Sequence, residues 1–235
     1  MPAKRILAFS SSRVGTGGYL EEAAPVIAAF LGDEPLNIAF VPFAAAELSA
    51  EAYADKVREG LHALPHTIVA VTQENARDLL FNADVIMVGG GNTFKLLHDL
   101  YACDVLSLIR EKVKAGTPYI GWSAGSNILG PGIGTTNDMP IMEPKSFKAL
   151  GSFPFQINPH YYNIKPEGFN GETRDQRLEE FIAVNPELKI VALPEGTALI
   201  MENGELRLNG ITNGFIFSKE GKDVLPLSDI SFLLK

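Results

Sequence analysis

The sequence has one cysteine, Cys103, among 235 residues. A single thiol excludes a disulfide framework and a thiolate metal cluster, and it suits a reducing cytoplasm, the compartment expected here. Histidine is scarce too, the four being His62, His66, His98 and His160. With no H-E-x-x-H, no EF-hand loop and no cysteine pair, the chain offers no metal-ligand pattern, and no metal site is expected. Lys and Arg never form a run, and the formal net charge is −8, so no broad basic surface is available to neutralise a nucleic-acid backbone. No apolar run approaches the roughly 20 residues that span a membrane. The N-terminal MPAKRILAFSSSR lacks the apolar core and small-residue cleavage site of a secretory leader, and its apolar stretch reads as a strand. Internal repeats and low-complexity segments are missing as well.

What remains is 46% hydrophobic, enough to bury a full core in one α/β domain spanning residues 1–235. Apolar runs at 5–10, 36–43, 67–72, 83–91 and 118–122 alternate with helical patterns at 19–31, 49–64, 92–101 and 105–116. Pro25 inside the first helical pattern predicts a kink or a later start, and Ser49 is placed to cap the second helix. Continuously apolar strands separated by helices predict a mostly parallel sheet with helices on both faces, which puts function at the strand C-termini. After Gly130 the pattern changes. Residues 131–147 read as a long surface loop, 155–160 as a short strand ending at His160, 172–186 as a helix, and 189–196 as a buried strand closed by Pro-Glu-Gly. Asn203-Gly204 and Glu220-Gly221 predict C-terminal antiparallel hairpins.

The segment TPYIGWSAGSNILG, residues 117–130, sets Gly-Trp-Ser-Ala-Gly behind an apolar run. A serine between two close glycines fits a nucleophile turn, in which the sharp bend requires unusual dihedrals and brings helix against strand. The same Ser123 could be an ordinary helix cap. A base is needed, and His160 is the candidate because it closes a strand-like run and would stand on the same sheet edge as Ser123; His62, His66 and His98 read as surface residues. Two carboxylates compete to orient the imidazole. Asp138 lies between Ser123 and His160 in the chain, whereas Glu195 sits at the end of a buried strand, and the sequence leaves both open. VGGGNTF at 88–94 fits neither a P-loop nor a dinucleotide fingerprint, so its expected use is an oxyanion site in which the N–H groups of Gly91 and Ala124 converge. In GETRDQRLEEF, Thr173 and Gln176 form a capping box that places Arg174 at the first helical position. A cation there opposes the helix dipole, which suggests retention for a substrate carboxylate; the alternative is neutralisation by Glu172 and Asp175 beside it.

The segments VGGGNTFKLL, YIGWSAGSNI, TTNDMPI, QINPHY, GETRDQR and LPEG, in this order and at these separations, resemble the aspartyl dipeptidases of peptidase family S51, the peptidase E family. The resemblance implies a class I glutamine-amidotransferase-like α/β fold with serine in place of the amidotransferase cysteine. It also implies hydrolysis of dipeptides with an N-terminal aspartate, without metal or cofactor. Carried over by position, it makes Ser123 the nucleophile and His160 the base. Members with either Glu or Asp as third residue match Glu195 and Asp138 equally, so the ambiguity stands. Arg174 is the candidate for the aspartyl side chain, with Asn92 and Glu172 as possible partners for the carboxylate and the α-amino group. The expected partner is a small acidic dipeptide, with no nucleic acid or membrane, and the oligomeric state stays open between a monomer and a small homo-oligomer. A cyanophycinase-like or isoaspartyl peptidase, and a non-catalytic binder of acidic small molecules, are the alternatives.

Overall fold

The five apolar runs become β1 (Ile6–Phe9), β2 (Asn37–Val41), β3 (Thr67–Ala70), β4 (Val85–Val88) and β5 (Tyr119–Trp122). Between them lie α1 (Ala24–Leu31), α2 (Ala50–Gly60), α3 (Ala76–Asn82), α4 (Thr93–Ala102) and α5 (Leu106–Lys114), and β5 leads directly into the short α6 (Ala124–Asn127). The remainder comprises β6 (Gln156–Asn158), α7 (Arg174–Val184), β7 (Ile190–Ala192), the hairpin of β8 (Thr197–Glu202) and β9 (Glu205–Gly210), and that of β10 (Gly214–Ser218) and β11 (Gly221–Leu225). The structure, a computed structural model, describes residues 3–168 and 170–234, so the expected domain limits at 1 and 235 lie outside the described residues.

The main sheet has seven strands in the order β3-β2-β4-β5-β1-β8-β9. Its first five are parallel, and β8 joins antiparallel to β1. Strand alternation deals the side chains to two faces. Leu7, Phe9, Phe40 and Trp122 meet Ile27 of α1 and Val57 of α2 on one side, while Ile6, Val41 and Ile86 meet Leu80, Leu97 and Ile109 of α3, α4 and α5 on the other. Burial on both faces is why β1, β4 and β5 read as unbroken apolar runs, whereas β3, at the sheet edge, alternates exposed and buried residues. Each fully buried Leu or Ile contributes about 1.5–3 kcal/mol, so the two cores together anchor the sheet edge that carries the site.

Three differences from the sequence expectations have clear causes. Helix α1 begins at Ala24 with proline in its first turn, so Pro25 sets a later start and residues 19–23 form turns. Helix α3 escaped notice because its seven residues, preceded by Asn75, are too short to show a helical period. The third difference matters most. Strands β6 and β7 do not extend the main sheet; they form a separate four-stranded sheet, β11-β10-β7-β6, with β6 and β7 parallel and α7 as their crossover. His160 therefore does not share a sheet edge with Ser123, contrary to the expectation from the sequence. Apolar periodicity tells that a strand is buried, not which sheet receives it.

The two sheets are tied together at their C-terminal edges by Ser10, fully buried just past β1. Its hydroxyl donates to the Leu193 carbonyl at 2.7 Å and accepts from the His160 N–H at 2.9 Å, and its own N–H donates to the Thr197 carbonyl at 2.9 Å. One serine thus connects β1, the second residue after β6, and both ends of the Pro-Glu-Gly turn.

Candidate active site

Ser123 follows β5 with φ 53° and ψ −114°, a conformation that L-residues rarely adopt and that turns its side chain out of the helix line. The flanking glycines are required by close approach. A Cβ on Gly121 would lie 2.7 Å from the Gly125 carbonyl carbon, and one on Gly125 would lie 2.2 Å from the Val88 carbonyl oxygen. Gly125→Ala must therefore push α6 off β4. It is expected to cost about 3 kcal/mol, the scale of overpacking in a tight interior, and to lower Tm by several degrees in calorimetry. An unchanged Tm would show that the helix has room to retreat.

His160 follows β6, also in the left-handed region at φ 51°, and the Ser10 hydroxyl holds its backbone. Its Nε2 is 3.0 Å from the Ser123 Oγ, and its Nδ1 is 2.7 Å from Oε1 of Glu195, which follows β7. A carboxylate can only accept, so Nδ1 carries the proton, leaving Nε2 to accept from the serine hydroxyl. The three side chains come from the ends of β5, β6 and β7, and hence from both sheets. Of the two carboxylates left open by the sequence, Glu195 is the one on the imidazole. Asp138 is elsewhere: its Oδ2 accepts from the N–H of Thr93, first residue of α4, at 2.7 Å, and from the Thr136 hydroxyl at 3.0 Å. An anion at that position complements the α4 dipole and steadies the helix start beside the glycine run.

Gly91 has φ 134°, and a Cβ there would lie 2.3 Å from the Ala44 carbonyl oxygen, so only glycine fits. The N–H groups of Gly91 and Ala124 have no acceptor among the described residues. A cleft of about 450 Å³ is lined by Gly90, Gly91, Asn92, Trp122, Ser123 and His160, together with Tyr19, Tyr53 and Lys56. This set of groups can take a proton from a hydroxyl and hold a negative oxygen, the two requirements of acyl transfer.

The remaining candidates divide. Asn92 borders the cleft, but its side chain is engaged at both ends as the α4 cap, Oδ1 accepting from the Lys95 N–H at 3.0 Å and Nδ2 donating to the Met139 carbonyl at 2.8 Å. Glu172 is exposed and lies 3.7 Å from the Arg177 guanidinium. Asp175 accepts from the Tyr161 hydroxyl, from Asn163 and from Lys222. Neither carboxylate pairs with Arg174, so the neutralisation considered from the sequence does not occur. The capping box of Thr173 and Gln176 forms as expected, and Arg174 opens α7 half-buried. Its Nη1 reaches Oδ1 of buried Asn158 at 3.4 Å, and its guanidinium stands 5.4 Å over the Tyr162 ring. Asn158 and Tyr162 are two residues before and after His160 in the chain, while Arg174 itself is not among the residues that line the cleft. Burial lowers the Arg174 pKa from its ordinary value, a sign of a desolvated cation without a carboxylate to offset the cost.

His62 is exposed, as expected, and His98 is half-buried with Nδ1 2.9 Å from the Glu143 carbonyl. His66 is half-buried rather than on the surface, and burial lowers its pKa. Sequence reasoning passed over Ser10 and Tyr53. A signal for Ser10 was present: Ser-Ser-Ser at the C-terminal end of a parallel strand is a polar cluster where such folds place their chemistry. Among the described residues no helix is long and apolar enough to cross a membrane, and no three His, Cys, Asp or Glu side chains gather at one point.

The model described as Peptidase family S51 matches residues 6–209, which contain every element of the site. The chain belongs to peptidase family S51. This S51 chain is 48% identical over 233 residues to a protein named peptidase E from Shewanella amazonensis, covering 98% of the chain and 99% of the relative. A peptidase E of Nostoc sp. is 45% identical over 236 residues, at 99% and 98% coverage, and one of Haemophilus influenzae is 49% identical over 203 residues, at 86% and 93%. A solved structure from Listeria monocytogenes EGD-e shares the fold of this S51 chain with a TM-score of 0.67 at 23% identity, covering 89% of the chain and all of the neighbour.

Proposed function

We propose that this S51 peptidase is a serine-type dipeptidase that hydrolyses Asp-Xaa. The observation that carries the substrate class is Arg174, a half-buried guanidinium without a carboxylate partner among the described residues, held by Asn158 and Tyr162 on either side of His160. An aspartyl carboxylate in bidentate contact would supply the missing charge. The relatives named peptidase E support the same reading. In the mechanism, the Ser123 Oγ attacks the carbonyl carbon of the aspartyl residue while His160 Nε2 takes the hydroxyl proton. Glu195 holds the imidazole tautomer through Nδ1–H and stabilises the imidazolium that forms. The N–H groups of Gly91 and Ala124 receive the tetrahedral oxyanion, an interaction in which each donor is worth about 100-fold or more in turnover. His160 then protonates the leaving amine, and water attacks the acyl-serine to release aspartate.

Kinetics on Asp-Leu, Asn-Leu, Glu-Leu and β-Asp-Leu test the reading. Asp-Leu is expected to exceed Asn-Leu by about 10³-fold or more in kcat/KM, because a site built around a half-buried cation rejects a neutral isostere that leaves it unpaired. Arg174→Ala should lower kcat/KM for Asp-Leu by about 10²–10³-fold, the worth of two charge-assisted hydrogen bonds, and narrow the gap to Asn-Leu. A preference for β-Asp-Leu, or discrimination that survives Arg174→Ala, would move the substrate assignment elsewhere.

A further inference from the structure

Tyr53, on α2, is buried and has no place in the mechanism above, yet its hydroxyl is the hub of a polar cluster beside the glycine run. It donates to the Gly90 carbonyl at 2.9 Å, accepts from the Trp122 indole N–H at 3.3 Å, and lies 3.2 Å from the Tyr19 hydroxyl. Its ring meets Phe40 edge-on with centroids 5.0 Å apart, and Phe40 in turn stacks on Trp122 at 5.9 Å. A Cβ on Gly89 would lie 2.8 Å from the Tyr53 hydroxyl, so strand β4 emerges directly against the phenol. Burial raises the phenol pKa, keeping it a donor throughout the working pH range.

The carbonyl of Gly90 and the N–H of Gly91 belong to one peptide unit. In a planar trans peptide those two groups point in opposite directions, so whatever fixes the carbonyl also aims the N–H. Glycine at 89, 90 and 91 leaves this peptide little side-chain restraint of its own. Restraint comes instead from two neighbours: Tyr53 grips the carbonyl of residue 90, and the Ala44 carbonyl accepts from the Asn92 N–H at 2.8 Å one peptide further on. Gly90 abuts the nucleophile, since a Cβ there would come within 3.0 Å of the Ser123 Cβ. The Gly91 N–H, pointing away from the phenol, has no acceptor among the described residues, and Gly91 borders the cleft that holds Ser123.

We infer that Tyr53 is a positioning residue: its hydroxyl, by holding the Gly90 carbonyl, orients the Gly90–Gly91 peptide so that the Gly91 N–H faces the oxyanion. This rests on the acyl-transfer reading of the site. Tyr53→Phe removes the donor and keeps the ring that packs on Phe40 and Gly89. With Asp-Leu, kcat is expected to fall about tenfold to a hundredfold with KM within about twofold, because the lost interaction is made in the transition state and not with bound substrate. Affinity for an aspartyl boronate, whose tetrahedral oxygen occupies the same place, should fall by a similar factor. A loss of packing alone would instead lower Tm and leave kcat per folded molecule and boronate affinity unchanged. A crystal structure of Tyr53→Phe reads the geometry without any turnover, so the inference is decided even if the substrate reading fails. The Gly90 carbonyl is expected to turn or to occupy two orientations. A peptide in its original orientation, or wild-type kcat and boronate affinity in the variant, would overturn the role.

Discussion

Ser123→Ala is expected to lower kcat/KM on Asp-Leu by about 10⁴-fold or more while leaving the fold intact, since removing the nucleophile of an acyl-transfer site leaves only the binding and oxyanion contributions. The side chain lost is small and its Oγ has the His160 Nε2 as partner, so the imidazole keeps Glu195 on its other nitrogen. Tm should accordingly change little. The residual rate is informative too, because it measures what the Gly91 and Ala124 donors achieve without a covalent step. Activity within an order of magnitude of wild type would rule out Ser123 as the nucleophile and send attention to water activated by His160.

Glu195→Gln is expected to produce the second large loss, about 10²–10⁴-fold in kcat, because an amide in place of the carboxylate no longer stabilises the imidazolium and can favour the wrong tautomer. Asp138→Ala separates this role from a structural one. Asp138 holds the Thr93 N–H at the start of α4, and α4 begins two residues after Gly91, so its removal leaves a partly buried donor unpaired beside the oxyanion loop. That costs about 1–3 kcal/mol. Any activity lost in Asp138→Ala should therefore come with a Tm several degrees lower, whereas Glu195→Gln, half-exposed and free of backbone bonds among the described residues, should keep the wild-type Tm. Near-normal kcat in Glu195→Gln, with loss confined to Asp138→Ala at unchanged Tm, would reverse the assignment.

The same pair of carboxylates shows where local reading stops. Chain order favoured Asp138 and position at a strand end favoured Glu195, and both are sound local arguments. What separates them is that β6 and β7 lie side by side in the second sheet, so the residues just beyond each strand, His160 and Glu195, come within hydrogen-bond distance. Asp138 belongs to the loop between α6 and β6 and folds back on α4 instead. Arg174 is a comparable case: its helix position follows from Thr173 and Gln176, but its lack of a carboxylate depends on Asp175 being taken by Tyr161 and Lys222 and on Glu172 turning to Arg177.

The sequence by itself determined the alternation of buried strands and helices, the glycines that let the chain turn at Ser123 and Gly91, the capping box of α7 and the Asn203-Gly204 hairpin. These are local: each follows from the dihedrals, periodicity or capping of a few adjacent residues. Only the tertiary structure decided that the strands divide between two sheets, that Ser10 joins their edges, and that Tyr53 of α2 reaches the Gly90 carbonyl. Those contacts link residues tens to more than a hundred positions apart, and they form because packing apolar faces brings particular polar atoms within 3 Å of one another, a coincidence of distance that no short window of residues contains.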